Sequence, residues 1–181
     1  LDLQRAIRWV RAHSDTYHLD PRRVGVWGFS AGGHLASTAA VHFDAGRNDG
    51  DAIDRHSCRP DFAILAYPVI VLDGRPAHAG SRRNLLGSQP DPKWLEFYST
   101  HKHVRKDTPP TFLFHTEEDT AVPAENSRMF AAACREKNVP VELVIYPKGP
   151  HGVGLATNDP VLSPWTVKLE AWLKSHQLLG Q

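Results

Sequence analysis

Leu3, Ala6, Ile7 and Val10 recur at the i, i+3, i+4, i+7 spacing of one helical face, with Arg5, Arg8 and Arg11 turned mostly away. The chain therefore opens with an amphipathic helix, expected to end by Asp20-Pro21. Val24 to Phe29 is short, β-branched and aromatic, and apolar at both alternations, which suits a parallel strand covered on both faces. Ala31 to Phe43 is alanine-rich and reads as a helix. Asp44 to Pro60 is polar and turn-rich, a loop. Phe62 to Val71 is the second strand, and Leu72 to Asp107 is a long irregular stretch with a short helical piece at Arg83 to Leu86. After Pro109-Pro110 come a strand Thr111 to His115, a loop to Val122, a helix Pro123 to Lys137, a strand Val141 to Tyr146 and a last helix Pro164 to Gln177. Pro123 and Pro164 suit first-turn helix positions.

Strands alternating with helices predict an α/β fold, a mostly parallel sheet with helices on both faces. The expected organisation is one domain over residues 1–181, with 72–107 forming a wall or lid-like insertion within it, because so long a connection in a compact domain usually serves a site.

Composition narrows the function classes. The 181 residues carry 21 Lys+Arg against 20 Asp+Glu, interspersed, so no basic footprint for nucleic acid is present. The apolar runs Phe62 to Leu65 and Val69 to Leu72 fall far short of the ~20 residues of a membrane-spanning helix. Neither nucleic acid nor a membrane is an expected partner. Cys58 and Cys134 lack CxxC spacing, which implies neither a zinc site nor a disulfide framework. The chain opens on Leu1 rather than methionine, and a start that has been cut is the expectation.

The candidate chemistry begins at Gly28-Phe29-Ser30-Ala31-Gly32-Gly33, where a buried strand gives way to a helix. That is the context a GxSxG elbow requires. Side chains at positions 28 and 32 are expected to collide in so tight a turn. The alternative is a glycine-rich turn with Ser30 as helix N-cap. A nucleophilic serine needs a base and an orienter, and two candidates follow in order. Asp119 lies just after the strand TFLFH, and His151 shortly after VELVIY, both at strand carboxyl ends, where open parallel sheets build their ligand sites. Glu117 and Glu118 are rival acids; Asp119 is preferred because it leads directly into Ala121-Val122-Pro123. Of the other histidines, His34 is placed to cap or pack beside the elbow, and His115 to make a structural hydrogen bond. His101 and His103 form an HxH pair with no third ligand nearby, weak evidence for a metal; no metal or cofactor is expected.

DPRRVGVWGFSAGGHLA, RPDFAILAYPVI, NLLG, HVRKDTPPTFLFHTEEDTAVP and YPKGPHGVGLA together resemble the α/β-hydrolase superfamily, and within it the acetyl-xylan-esterase and feruloyl-esterase-like carbohydrate esterases, close to the hormone-sensitive-lipase-like carboxylesterases. The resemblance implies Ser30 as nucleophile, Asp119 as acid, His151 as general base and the Ala31 backbone N–H as an oxyanion donor. It implies the C-terminal part of that fold, with the N-terminal strands and the HGG-type oxyanion loop lying outside these residues. It also implies a secreted or periplasmic location. The strand Val24 to Phe29 then becomes a sheet edge, a surface for a homo-oligomer. The expected reaction is hydrolysis of short acyl esters, acetyl groups on a plant polysaccharide such as xylan, through an acyl-enzyme. The substrate is a small ester or an acylated carbohydrate, with Trp94, Phe97 and Tyr98 forming part of the acyl or sugar wall or else core. A prolyl-oligopeptidase-type peptidase and a noncatalytic remnant are the alternatives.

Overall fold

The computed structural model describes residues 2–179. Helix α1 (Asp2–Ala12) precedes strand β1 (Val26–Phe29) and helix α2 (Ala31–Val41). Strand β2 (Ala63–Ala66) is followed by helices α3 (Ala79–Leu86) and α4 (Pro92–Phe97). Strand β3 (Thr111–Thr116), helix α5 (Glu125–Glu136), strand β4 (Val141–Tyr146) and helix α6 (Pro164–Ser175) complete the chain.

The four strands pair in sequence order, β1-β2-β3-β4, and every pairing is parallel. The register puts Gly28 beside Leu65, Leu65 beside Leu113 and Leu113 beside Leu143. Because strand side chains alternate between faces, Ala63, Leu65 and Leu113 pack with Ile7 of α1, Ala36 and Ala40 of α2 and Phe130 of α5. Ile64, Ala66, Phe112 and Phe114 turn the other way, onto Trp165, Leu169 and Trp172 of α6. Helices thus cover both faces, and the near-continuous apolar runs of β2 and β3 follow from that.

Several expectations need correction, while the first helix ends ahead of Asp20 as expected. The strand Phe62 to Val71 stops at Ala66, because Tyr67 takes a positive φ of 38° and Pro68 lacks an amide hydrogen to continue the ladder. Val69 to Leu72 are still buried, in the core rather than in the sheet. The first helix ends at Ala12, eight residues before Asp20, and turns carry the chain on. Segment 72–107, expected to be mostly irregular, contains α3, α4 and a 3-10 turn at Thr100–His103. The strand β1 is buried on one face only, for Trp27 is 47% exposed on the other, where it stacks on Phe29 and meets Trp165 edge-on.

Arg8, counted among the outward residues of α1, is buried. Its guanidinium forms a two-pronged pair with Asp44 at 2.6 and 2.8 Å and donates to the His56 carbonyl. This pairing lets a cation sit beneath α1 and ties the loop 44–60 to the helix. Arg11 does the same for Asp61 at 2.6 Å. Cys58 and Cys134 are free and buried, and burial pushes the Cys134 thiol up to about 12.

Candidate active site

Ser30 occupies the turn from β1 into α2 with φ 54° and ψ −119°, a backbone conformation that an L residue holds only under constraint from its surroundings. Those constraints are visible. The Ser30 N–H donates to the Ala66 carbonyl at 3.0 Å, and the Ser30 carbonyl accepts from Val69 N–H at 3.1 Å and His34 N–H at 3.2 Å. Gly28 is required sterically, since a Cβ there would stand 2.1 Å from the Gly32 carbonyl oxygen. The same need was expected at Gly32, but a Cβ there meets nothing within 4 Å. The close approach falls instead on Gly33, whose Cβ would lie 2.7 Å from that of Pro68.

The N-cap reading of Ser30 does not survive. Its side chain makes no capping bond to α2. The hydroxyl instead donates to Nε2 of His151 at 2.8 Å, across 121 positions of sequence. His151 Nδ1–H in turn donates to Oδ2 of Asp119 at 2.6 Å. The other carboxylate oxygen of Asp119 accepts the backbone N–H groups of Ala121 and Val122 at 3.0 and 2.8 Å, so the side chain is anchored at both oxygens and fully buried. The structure therefore brings together the three residues that the sequence spread over strand ends β1, β3 and β4. The rival acids turn outward: Glu117 pairs with Arg128, and Glu118 reaches the Gly149 N–H. Ala31, the first residue of α2, is exposed, and first-turn N–H groups have no acceptor within their own helix.

The loop carrying His151 is shaped by positive φ at Gly149, Gly152 and Gly154. Thr116 at the end of β3 clamps it by donating to the Gly149 carbonyl at 2.8 Å. Tyr67 clamps its far end: its hydroxyl accepts from Gly154 N–H at 2.9 Å, and its ring meets the His151 imidazole edge-on with centroids 5.0 Å apart. Burial pushes the Tyr67 phenol up, so it stays protonated. Sequence reading passed over Tyr67; its signal was an aromatic residue directly after a strand and directly before proline.

His34 packs rather than caps. It is buried, its Nε2–H donates to the Tyr98 carbonyl at 2.8 Å, and burial lowers its basicity. Eight residues and about two helical turns later, a second pair of contacts repeats the attachment: His42 donates to the Phe97 carbonyl at 2.9 Å and stacks on that ring at 3.9 Å. These bonds fix α4 against α2 and frame a groove of about 620 Å³ that runs from Ala31 along α2, walled by Leu35, Leu85, Trp94, Phe97 and Tyr98. His101 and His103 lie in the 3-10 turn behind this wall, His103 bonded to the Glu96 carbonyl at 3.0 Å. Among the described residues no cluster of three His, Cys, Asp or Glu could hold a metal ion.

A parallel sheet, a strained serine at a strand-to-helix turn, and an acid and a histidine delivered in that chain order from successive strand ends define the α/β-hydrolase class. The chain belongs to the BD-FAE family of that class, whose model matches residues 1–134. It is 43% identical over 165 residues, 91% of its length, to endo-1,4-beta-xylanase B of Butyrivibrio fibrisolvens, and spans 26% of that protein. It is 35% identical over 178 residues, 96% of its length, to the acetylxylan esterase of Xylanibacter ruminicola, of which it spans 35%. The crystal structure of an acetyl ester-xyloside bifunctional hydrolase from Caldicellulosiruptor lactoaceticus superposes on 99% of the chain with a TM-score of 0.97 at 49% identity, and the chain spans 66% of that structure.

Proposed function

We propose that this chain carries the reacting residues of a serine carboxylesterase that removes short acyl groups, acetyl above all, from a plant polysaccharide such as xylan. The single observation that carries the reading is the continuous hydrogen-bonded line from the Ser30 hydroxyl through His151 to Asp119. A free serine hydroxyl is a poor nucleophile at neutral pH and needs such a base. Ser30 Oγ attacks the ester carbonyl while His151 Nε2 takes its proton. Asp119 holds the imidazole in the Nδ1–H tautomer and stabilises the cation that forms. Negative charge on the carbonyl oxygen develops beside the Ala31 N–H, at the positive end of α2. The imidazolium returns its proton to the departing alcohol, and water, activated by the same ring, releases the acid.

The acetyl and polysaccharide parts of this reading are supported by the likeness to the acetylxylan esterase and to the acetyl ester-xyloside hydrolase. The aromatic groove beside Ala31 offers stacking faces for a sugar ring or an acyl chain. The test is treatment with an aryl phosphonate followed by peptide mass spectrometry. An adduct on Ser30, with loss of acetyl-ester hydrolysis in Ser30→Ala, is expected. Modification at another residue, or hydrolysis that persists in Ser30→Ala, overturns the assignment.

A further inference from the structure

One fully buried titratable side chain touches the catalytic line without belonging to it. His115, in β3, is 0% exposed. Its Nε2–H donates to the Val122 carbonyl at 2.8 Å and lies 3.3 Å from Oδ2 of Asp119, the oxygen that also receives His151. Its Nδ1 accepts from the Ser127 hydroxyl at 2.7 Å, and Ser127, on α5, is itself fully buried. The imidazole is thus held at both nitrogens. Burial favours the neutral ring and lowers its basicity, which leaves one proton, at Nε2, to face Val122 and Asp119.

A buried polar group is costly unless it is bonded, and an apolar residue of equal volume would fill this space at no such cost. The bonded imidazole instead stands beside the acid. Oδ1 of Asp119 is held by two backbone amides, and Oδ2 stands between two imidazoles. We propose that His115 and Ser127 form a positioning pair for Asp119: Ser127 fixes the ring, and the ring's Nε2–H holds the carboxylate in the orientation that serves His151. This rests on the catalytic reading of Ser30, His151 and Asp119. The titratable groups facing the pair are Asp119 on the adjoining loop and His151 from the loop after β4, while α5 presents the neutral Ser127 hydroxyl; the Tyr67 phenol bears on Asp119 rather than on the pair.

The experiment measures the rate of Ser30 phosphonylation as a function of pH in the 181-residue chain and three variants. His115→Asn keeps a partner for Ser127 but has no atom at the Nε2 position. It is expected to slow the reaction about tenfold, the scale of one charge-assisted hydrogen bond. It should also move the acidic limb of the profile to higher pH, because a carboxylate short of one donor holds the His151 imidazolium harder. His115→Gln carries an amide nitrogen near the Nε2 position and should recover most of the rate and the native limb. Ser127→Ala, which frees the ring without removing it, should fall between. A folded His115→Asn variant with the native rate and limb overturns the proposal. Equal losses in the Asn and Gln variants with an unmoved limb also overturn it, since that pattern belongs to packing alone. A wild-type chain unmodified at Ser30 overturns the catalytic reading itself and this pair's role with it. Should His115→Asn not fold, 15N spectra of the wild-type ring decide: an Nε2–H tautomer whose shift moves in Asp119→Asn is expected, and an Nδ1–H tautomer overturns the proposal.

Discussion

The hydroxyl of Tyr67 accepts the Gly154 N–H at 2.9 Å while its ring edge rests on the imidazole of His151. One buried aromatic residue therefore ties the loop that carries the base to the end of β2. Tyr67→Phe keeps the ring and removes the acceptor, leaving the Gly154 amide short of a partner. A loss of about 1 kcal/mol in stability is expected from urea unfolding. Because a small displacement of a reacting group is costly, kcat should fall severalfold with KM little changed. A kcat equal to wild type would show that the ring contact alone positions the loop.

The two glycines flanking Ser30 should respond oppositely. Gly28→Ala drives a methyl group onto the Gly32 carbonyl, and forcing atoms into packed space typically costs 1–3 kcal/mol, so about that loss is expected, with the elbow distorted. Gly32→Ala enters open space inside α2, where alanine is favoured over glycine by up to about 1 kcal/mol. Thermal unfolding of the two variants checks the contrast.

Stability should decline as pH falls below about 6.5, the ordinary histidine value, before most carboxylates titrate. His34 and His115 are buried and hold their protons less readily in the folded chain than in the unfolded one. Below that pH the unfolded chain binds more protons, so the unfolding free energy falls with falling pH until the folded rings titrate too. Urea midpoints at neutral and mildly acidic pH read this directly, and His115→Gln should flatten the dependence.

The groove along α2 predicts a specificity effect. Trp94 is 45% exposed on its wall, in contact with Phe97 and Tyr98 and bonded to neither reacting group. Trp94→Ala is expected to raise KM severalfold for an acylated xylo-oligosaccharide, on the scale of a lost aromatic contact, while leaving phosphonylation of Ser30 unchanged. Equal effects on both would place Trp94 in the support of the elbow instead.

Strand β1 forms one edge of the described sheet and presents Trp27 there. Exposed apolar edges pair with other chains. We expect the 181-residue chain to self-associate with rising concentration, and Trp27→Lys to shift its elution toward the monomer in size-exclusion chromatography.

Local pattern determined much of this protein by itself. The short apolar runs of β3 and β4, the alanine run of α2 and the prolines at the starts of α5 and α6 specify element type from neighbouring residues alone, and those elements lie within two residues of where the sequence puts them. Order along the chain, together with the parallel sheet it implies, also marked Ser30, Asp119 and His151, because strand carboxyl ends must converge on one edge. What sequence could not decide were contacts between distant segments. Arg8 is buried because Asp44 and the His56 carbonyl meet it. Gly33 rather than Gly32 meets a neighbour because Pro68 passes over the elbow. Tyr67 stands at a positive φ where β2 ends, and its hydroxyl meets Gly154 from a loop 87 positions away. The hydroxyl at position 30 can donate or accept in any conformation, and folding alone made it donate to Nε2 of His151 rather than accept from the N–H groups in the first turn of α2.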